Sequence, residues 1–316
     1  MAGLNLFSIP ADAPFLAVLA EALLAGRFGK AHDPGDPTAL SRTTLYLPTQ
    51  RAARALAAIL SEKLGGRPLL LPRIVPLGDV DEAETALIAG SGEMLARVAP
   101  IEPLQRRLIL TRLIAQWGKA ANRQHLRLDP AEPALVPSTL AEAWGLAGDL
   151  AGLLDQMQTE GVSPERLRGL DAARFDEIWQ FNARFLDIVA ETWPAILAER
   201  GECDPADFRN RMLEAERRRL EAGGLSGPVI AAGSTVTVPA TARLLATIAR
   251  LPNGAVVLPD LDEALPEPAW RAISGEPTPS HPQAALHHLL EVIGAGRDEV
   301  DNLAGPTETL APRRDL

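Results

Sequence analysis

The sequence PVIAAGSTVTVPATARLLATIARLPNGAVVL, residues 228–258, places a helical pattern between two short apolar runs. The runs at 228–233 and 255–258 are unbroken, which is typical of strands that are buried on both faces. The segment 239–251 between them has the spacing of an amphipathic helix. A strand, helix, strand order with apolar runs predicts a parallel sheet covered by helices.

The N-terminal part of the chain repeats this order. We predict strands at 4–9 and 43–48 and helices at 14–29 and 50–64. A further apolar run, Leu69 to Leu77, is interrupted by Pro72 and Pro76, so it can form only an edge strand or a broken strand.

Between these two parts the pattern is helical, from about Ile101 to Leu220, with breaks predicted at 125–137, 161–164 and 200–205. The clearest helix, 171–199, repeats large apolar residues at steps of three and four, which indicates a core-facing stripe. Its members are Ile178, Phe181, Phe185, Val189 and Trp193. We therefore expect an α/β domain built from residues 1–100 and 225–316, split by an all-helical insert at 101–224.

Composition excludes several classes of protein. The 316 residues include 31 Lys and Arg against 41 Asp and Glu, a net charge of −10, which excludes a uniformly basic surface but leaves room for a local basic patch. The single cysteine, Cys203, excludes a disulfide framework and a Cys-rich zinc or iron–sulfur site and fits a reducing, cytoplasmic setting. The apolar stretch Phe15 to Gly26 contains Glu21 and is too short to span a bilayer, so we expect neither a signal peptide nor a membrane partner.

The first predicted strand is followed by a loop that lacks the residues of a phosphate-binding loop. Such a loop uses glycine amides, a lysine and a Ser or Thr, whereas residues 8–14 read SIPADAP, with no glycine or lysine and with Asp12. The late strand at 228–233 ends in Gly233, Ser234 and Thr235 rather than in a magnesium-binding carboxylate. We therefore expect no ATP site, no bound cofactor and no catalytic residue.

Basic residues are concentrated in one part of this acidic chain. Residues 42–73 hold six cations, Arg42, Arg51, Arg54, Lys63, Arg67 and Arg73, against Glu62 alone. Thr49 is placed to cap the helix that begins at Gln50, with Arg51 and Arg54 in its first turns, an arrangement that suits a phosphate. The alternative is an ordinary helix cap with solvated arginines. A second cluster follows within 97–127, with Arg106, Arg107, Arg112, Lys119 and Arg123.

Other polar groups give weaker indications. His287 and His288 are adjacent, so they diverge on a helix and cannot ligate one metal ion together. Asp260, Asp262 and Glu263 follow a strand but have no evident further ligand, which favours a solvated loop and no metal site. The arginines Arg217, Arg218 and Arg219 are expected on a solvated face with nearby glutamates.

Four stretches together resemble the N-terminal part of the AddB family, in its alphaproteobacterial branch. They are NLFSIPADAPFLAVLAEALL (5–24), TLYLPTQRAARAL (44–56), LPRIVPLGDVDE (71–82) and VIAAGSTVTVPATARLLATIARLPNGAVVLPDLD (229–262). The resemblance implies a RecA-like, superfamily 1 helicase-like sheet that has lost its motor motifs. It also implies an AddA-like helicase–nuclease partner and a role in resecting DNA double-strand breaks. Members of the family are longer and carry a C-terminal nuclease with iron–sulfur cysteines, so the resemblance implies that this chain is an N-terminal fragment.

The resemblance also assigns candidate DNA contacts. LPTQRAA at 47–53 is similar to the segment with which related helicases contact single-stranded DNA, which implies that role for Thr49, Gln50 and Arg51. The local excess of positive charge adds Arg54 and Arg73 to these candidates. The chain departs from the pattern expected for this branch at Val236, Thr237 and Val238, after Gly233-Ser234-Thr235.

Three hypotheses follow. The first is a catalytically silent helicase-like module that guides DNA, single-stranded or as an unwound end, and scaffolds an AddA-like subunit. The second is a protein-interaction scaffold with no DNA affinity. The third, a small-molecule α/β enzyme, has the least support because no acid, base and nucleophile converge in the sequence.

Overall fold

The computed structural model describes most of the chain. The described residues are 4–29, 36, 38–65, 70–77, 98–124, 137, 139–163, 185, 188–223, 225, 227–235, 238–273 and 281–304. The chain divides into two units, Met1–Gly90 with Leu213–Leu316, and Ser91–Met212. Within the described residues no helix has the length and apolar character needed to cross a membrane.

The first unit contains a parallel sheet in which every neighbouring pair of strands runs in the same direction. Its strands are β1 (Leu6–Ile9), β2 (Thr44–Leu47), β3 (Arg73–Pro76), β6 (Val229–Ala232), β7 (Gly254–Pro259) and β8 (Asp301–Asn302), in the order β3-β2-β6-β7-β1-β8. The central strands are buried along their whole length, as their unbroken apolar sequences require.

Helices cover both faces of this sheet. The helices are α1 (Phe15–Leu24), α2 (Gln50–Lys63), α7 (Pro239–Arg250), α8 (Glu267–Ala272), α9 (Ala284–Ile293) and the part of α6 (Pro205–Glu221) from Leu213 onward, with short 3₁₀ turns at Ala39–Arg42 and Arg297–Glu299. One apolar core joins α1 and α2 to the strand side chains of one face, such as Leu45 and Ile230. A second core joins α7, α8, α9 and the last turns of α6 to the opposite face, with Tyr46 and Val229.

The second unit is mainly helical. It contains α3 (Pro103–Gln124), α4 (Leu140–Thr159), a π-helical turn at Ile188–Thr192 and α5 (Trp193–Arg200). Leu110, Ile114, Ala147, Leu150 and Trp193 are among the residues of its core. Strands β4 (Ala99–Pro100) and β5 (Glu202–Cys203) form a parallel two-strand ladder in this unit, and β5 lies within the range 101–224 for which only helices were predicted.

The main pairing predicted across the insert is present. Thr44 pairs in register with Val229 and Tyr46 with Ala231, so β2 and β6 are neighbours in one sheet. The run with two prolines forms β3, the terminal strand of the described sheet. The first unit resumes at Leu213, and Leu213 and Leu220 of α6 pack into the core of the sheet. The predicted helix 171–199 lies outside the described residues except for residue 185 and those from 188 onward.

Candidate nucleic-acid interface at the carboxyl ends of the strands

The carboxyl ends of β2 and β6 form the point where the connections of the sheet diverge. After β2 the chain enters α2 on one face, and after β6 it enters α7 on the other face. In open parallel sheets, ligands bind outside the carboxyl ends of two such neighbouring strands. The segment after β2, from Pro48 to Arg54, therefore lies where this class of fold places its binding sites.

Thr49 caps α2, as its sequence position predicts. Its backbone is extended, and its side-chain oxygen accepts a hydrogen bond of 3.1 Å from the Ala52 amide. The capping bond uses one acceptor site of the hydroxyl, and its proton remains a donor. The beginning of α2 also carries the positive end of the helix dipole, which favours an anion.

Arg51 and Arg54 lie one turn apart on α2, and both side chains are exposed. In the part of the chain that the structure describes, neither guanidinium makes an ion pair. Lys63, at the other end of the same helix, pairs with Glu21 at 2.6 Å. The first turns of α2 therefore present two positive charges that no described carboxylate neutralises.

The structure gathers four of the five predicted DNA-binding residues. Thr49, Gln50, Arg51 and Arg54 are consecutive or one turn apart, and Gln50 is half-buried. Arg73 is not with them, because it begins β3 and pairs in register with Thr44, the first residue of β2. A four-residue parallel strand spans about 10 Å, so Arg73 lies at the amino ends of the strands, on the opposite edge of the sheet. The charge pattern could not distinguish the two edges.

Gly233 begins the loop that faces this helix start. Its φ is 75°, in the left-handed region. A Cβ atom at this position would lie 3.1 Å from Phe15 Cε1 and 3.7 Å from Pro48 Cδ. The start of α1 and the loops after β2 and β6 therefore meet at Gly233, which the sequence did not indicate. The half-buried Ser234 follows directly.

The loop after β1 has an acidic neighbour. Asp260, directly after β7, accepts a hydrogen bond of 3.1 Å from the Ala11 amide through Oδ1. The Asp260 carboxylate thus accepts a hydrogen bond from an amide that, in a phosphate-binding loop, would face a phosphate. The sequence indicated Asp12 and placed Asp260 in a solvated loop, but it gave no sign of the contact between Asp260 and Ala11, which are 249 residues apart.

The second basic cluster is not a surface patch throughout. Arg106 is buried, and its guanidinium pairs with Asp155 at 2.9 Å and with Asp204 at 2.7 Å. Arg107 lies 4.4 Å from the centroid of the Trp144 ring and donates to the Trp144 carbonyl. Two of the predicted cations therefore serve the packing of α3 against α4, since the sequence does not reveal their carboxylate and aromatic partners. Arg112 and Lys119 are exposed.

The run Arg217 to Arg219 also differs from the expected solvated face. Arg217 and Arg218 pair with Glu214 near the surface, as predicted. Arg219, however, binds both oxygens of the buried Glu216 at 2.7 Å, and the Tyr46 hydroxyl donates to the same carboxylate. Burial, and then the Glu216 charge, raise the pKa of Tyr46. The buried Tyr46 and Glu216 and the half-buried Arg219 form a polar network that ties α6 to the centre of β2.

Among the described residues, the other reactive groups form no metal site. Burial, reinforced by Asp207, raises the pKa of the Cys203 thiol to about 11, so it is neutral at physiological pH and a poor nucleophile. Among the described residues, no three His, Cys, Asp or Glu side chains converge to hold a metal ion. His287 packs against Trp270, with ring centroids 4.8 Å apart, whereas His288 is exposed.

Comparison with known proteins adds no family to these observations. No protein-family model and no curated protein sequence matches the chain.

Proposed function

We propose that this chain is an inactivated helicase-like module that guides DNA during double-strand break repair and scaffolds an AddA-like helicase–nuclease subunit. In this proposal the chain is the N-terminal part of an AddB-like subunit. It hydrolyses no ATP itself, and the ATP-dependent helicase and exonuclease activities belong to the parent complex. Its DNA ligand is a single strand or an unwound end.

The observation that carries the proposal is the contrast between two loops at the carboxyl ends of the strands. The loop after β1, where a RecA-like motor binds its phosphates, has no lysine and holds the Asp260 carboxylate against an amide. The loop after β2 leads into a capped helix with Arg51 and Arg54 exposed and unpaired among the described residues. At the carboxyl ends of the strands, the loop after β1 thus disfavours a nucleotide phosphate, whereas the loop after β2 favours a polyanion.

The strand order supports a RecA-like interpretation. The parallel order β3-β2-β6-β7-β1-β8 puts β1 beside β7 and β2 beside β6, with helices on both faces. This architecture suits a nucleotide-driven motor, and the missing phosphate-loop residues suit one that has lost its motor function.

A second candidate, a pure interaction scaffold without DNA affinity, is supported by two observations. The Thr49 hydroxyl is used as an ordinary helix cap, and Arg106 and Arg107 of the second basic cluster face inward. In this candidate, Arg51 and Arg54 are solvated side chains without a ligand.

Two titrations of the purified chain test the proposal. Calorimetry with Mg-ATP should give no saturable binding, because the β1 loop offers neither glycine amides nor a lysine. Fluorescence anisotropy with a labelled single-stranded oligonucleotide should give weak, sequence-tolerant binding, both for the chain alone and with its partner subunit. Micromolar ATP binding would contradict the silent-motor part. Absence of DNA binding in both contexts would leave the scaffold candidate.

A further inference from the structure

Asp260 has an unusual backbone conformation. Among the described residues it is the non-glycine residue with positive φ, at 53°. The left-handed region is disfavoured for residues with a Cβ atom, although Asp and Asn tolerate it better than most. Such a conformation persists when surrounding contacts determine it.

Hydrogen bonds hold Asp260 and its neighbours on every side. The Asp260 amide donates to Ile9 O at 2.8 Å, and its carbonyl accepts from Gln283 Nε2 at 2.8 Å. The next amide, of Leu261, donates to Ser8 Oγ at 3.1 Å. Gln283 is buried, and its Oε1 accepts from the Asp262 amide at 3.2 Å, so one side chain binds the turn twice.

This turn determines the position of the Asp260 carboxylate. The strained backbone directs the Asp260 side chain across to the loop after β1, where Oδ1 accepts from the Ala11 amide. The Ala13 amide bonds to Pro10 O within the same loop, at 3.1 Å. We propose that Asp260 is an internal anion that locks the loop after β1 in one conformation, in the absence of any bound ligand.

The lock has a consequence for the neighbouring loops. Residues 10–14 lead directly into Phe15, whose ring lies against Gly233 at the start of the loop after β6. Fixing the β1 loop therefore fixes the start of α1, and with it one wall beside Pro48 and the beginning of α2. The lock itself does not depend on the proposed function. Its use, which is to order the β1 loop without a bound nucleotide, rests on the proposed function.

Hydrogen–deuterium exchange of the peptide covering residues 10–15 tests the lock. D260G keeps a residue that accepts positive φ and removes the carboxylate, so exchange at Ala11 should become about tenfold faster. D260N retains a side-chain oxygen without the charge and should give a smaller increase. D12N removes the same charge from an exposed residue of the loop and should match the wild type.

Unchanged exchange at Ala11 in D260G and D260N would overturn the proposal, as would an equal increase in D12N. If D260G does not fold, D260N decides the question alone, with faster exchange required. Adding Mg-ATP to the wild-type chain separates this test from that of the proposed function. Protection of the loop by Mg-ATP would contradict the silent motor, whereas the mutational comparison would still decide whether Asp260 is a lock.

Discussion

Tyr46 and Glu216 are 170 residues apart in the chain, yet the Tyr46 hydroxyl donates a hydrogen bond to the Glu216 carboxylate beneath the sheet. Glu216 is buried, and Arg219 binds both of its oxygens from the next turn of α6. A buried carboxylate is stable only while such partners remain. The contact therefore makes the attachment of α6 to β2 sensitive to single substitutions.

Loss of the Tyr46 hydroxyl and loss of the Arg219 side chain should both destabilise the fold, but by different amounts. Y46F removes one hydrogen bond and should lower the free energy of unfolding by about 1 kcal/mol. R219A leaves the carboxylate buried without its cation and should cost about 2 kcal/mol, between the values for buried and exposed pairs. R218A, whose side chain is exposed, is the matched control and should be nearly neutral. Urea unfolding measures all three, and equal stability of R219A and R218A would contradict the account.

Asp204 should be the most sensitive acidic residue of the second unit. Its buried carboxylate lies 2.7 Å from Arg106 Nε and accepts hydrogen bonds from Trp193 Nε1 at 2.9 Å and Gln158 Nε2 at 2.7 Å. D204A leaves Arg106 buried with Asp155 as its remaining carboxylate and should cost about 3 to 5 kcal/mol. D207N, in the first turn of α6 just after Asp204, breaks a largely exposed pair with Arg211 and should cost less than about 1 kcal/mol. Thermal or urea unfolding that ranks the two variants in the opposite order would refute this assignment.

Glu214 should give the chain a defined acid dependence. Hydrogen bonding to Arg217, with a further contribution from Arg218, lowers the pKa of Glu214 from 4.5 to about 2. A lowered folded-state pKa stabilises the protein above the unfolded value, and that contribution disappears as the pH falls from about 4.5 towards 2. The stability difference between wild type and E214Q should therefore be largest at neutral pH and shrink across this interval, with a size of at most about 1 kcal/mol for a partly exposed pair. A difference that is constant from pH 6 to pH 2.5 would contradict the pKa shift.

Alanine substitutions at Gly233 and Gly65 separate the cost of a clash with Phe15 from the cost of backbone strain. Both have positive φ, 75° and 67°, but a Cβ at Gly65 would meet nothing within 4 Å, whereas one at Gly233 would meet Phe15. G65A should cost about 1 kcal/mol for strain alone. G233A should cost more, because the Phe15 ring must also move. Equal losses in urea unfolding would show that the Phe15 contact is unimportant.

Local signals in the sequence predicted the parts of the fold that depend on neighbouring residues. The buried strands show in unbroken apolar runs such as 229–232, the cap at Thr49 in its position before a helical pattern, and the terminal position of β3 in Pro72 and Pro76. Contacts between distant segments carry no such signal. Burial of Arg106 depends on Asp155 and Asp204, and the turn at Asp260 depends on Ser8 and Gln283.

In the candidate site, too, the sequence predicted what depends on neighbouring residues and missed what depends on distant segments. The sequence predicted Thr49, Gln50, Arg51 and Arg54 as one group because they are close in the chain. It also included Arg73, because charge counting does not reveal which end of a strand a residue occupies. The meeting of Phe15, Pro48 and Gly233 needed the sheet order itself.

The most direct test of the central claim is the salt dependence of single-stranded DNA binding. Anisotropy across a salt series should compare wild type, R51A/R54A, and R27A/R42A, which removes two exposed arginines outside the first turns of α2. Each arginine that neutralises a phosphate contributes about 0.7 to the slope of log affinity against log salt. R51A/R54A should bind more weakly with a slope flatter by about 1.4 and unchanged thermal stability, and R27A/R42A should retain most of the wild-type affinity and slope. Equal binding by R51A/R54A and wild type, alone and with the partner subunit, would contradict the account.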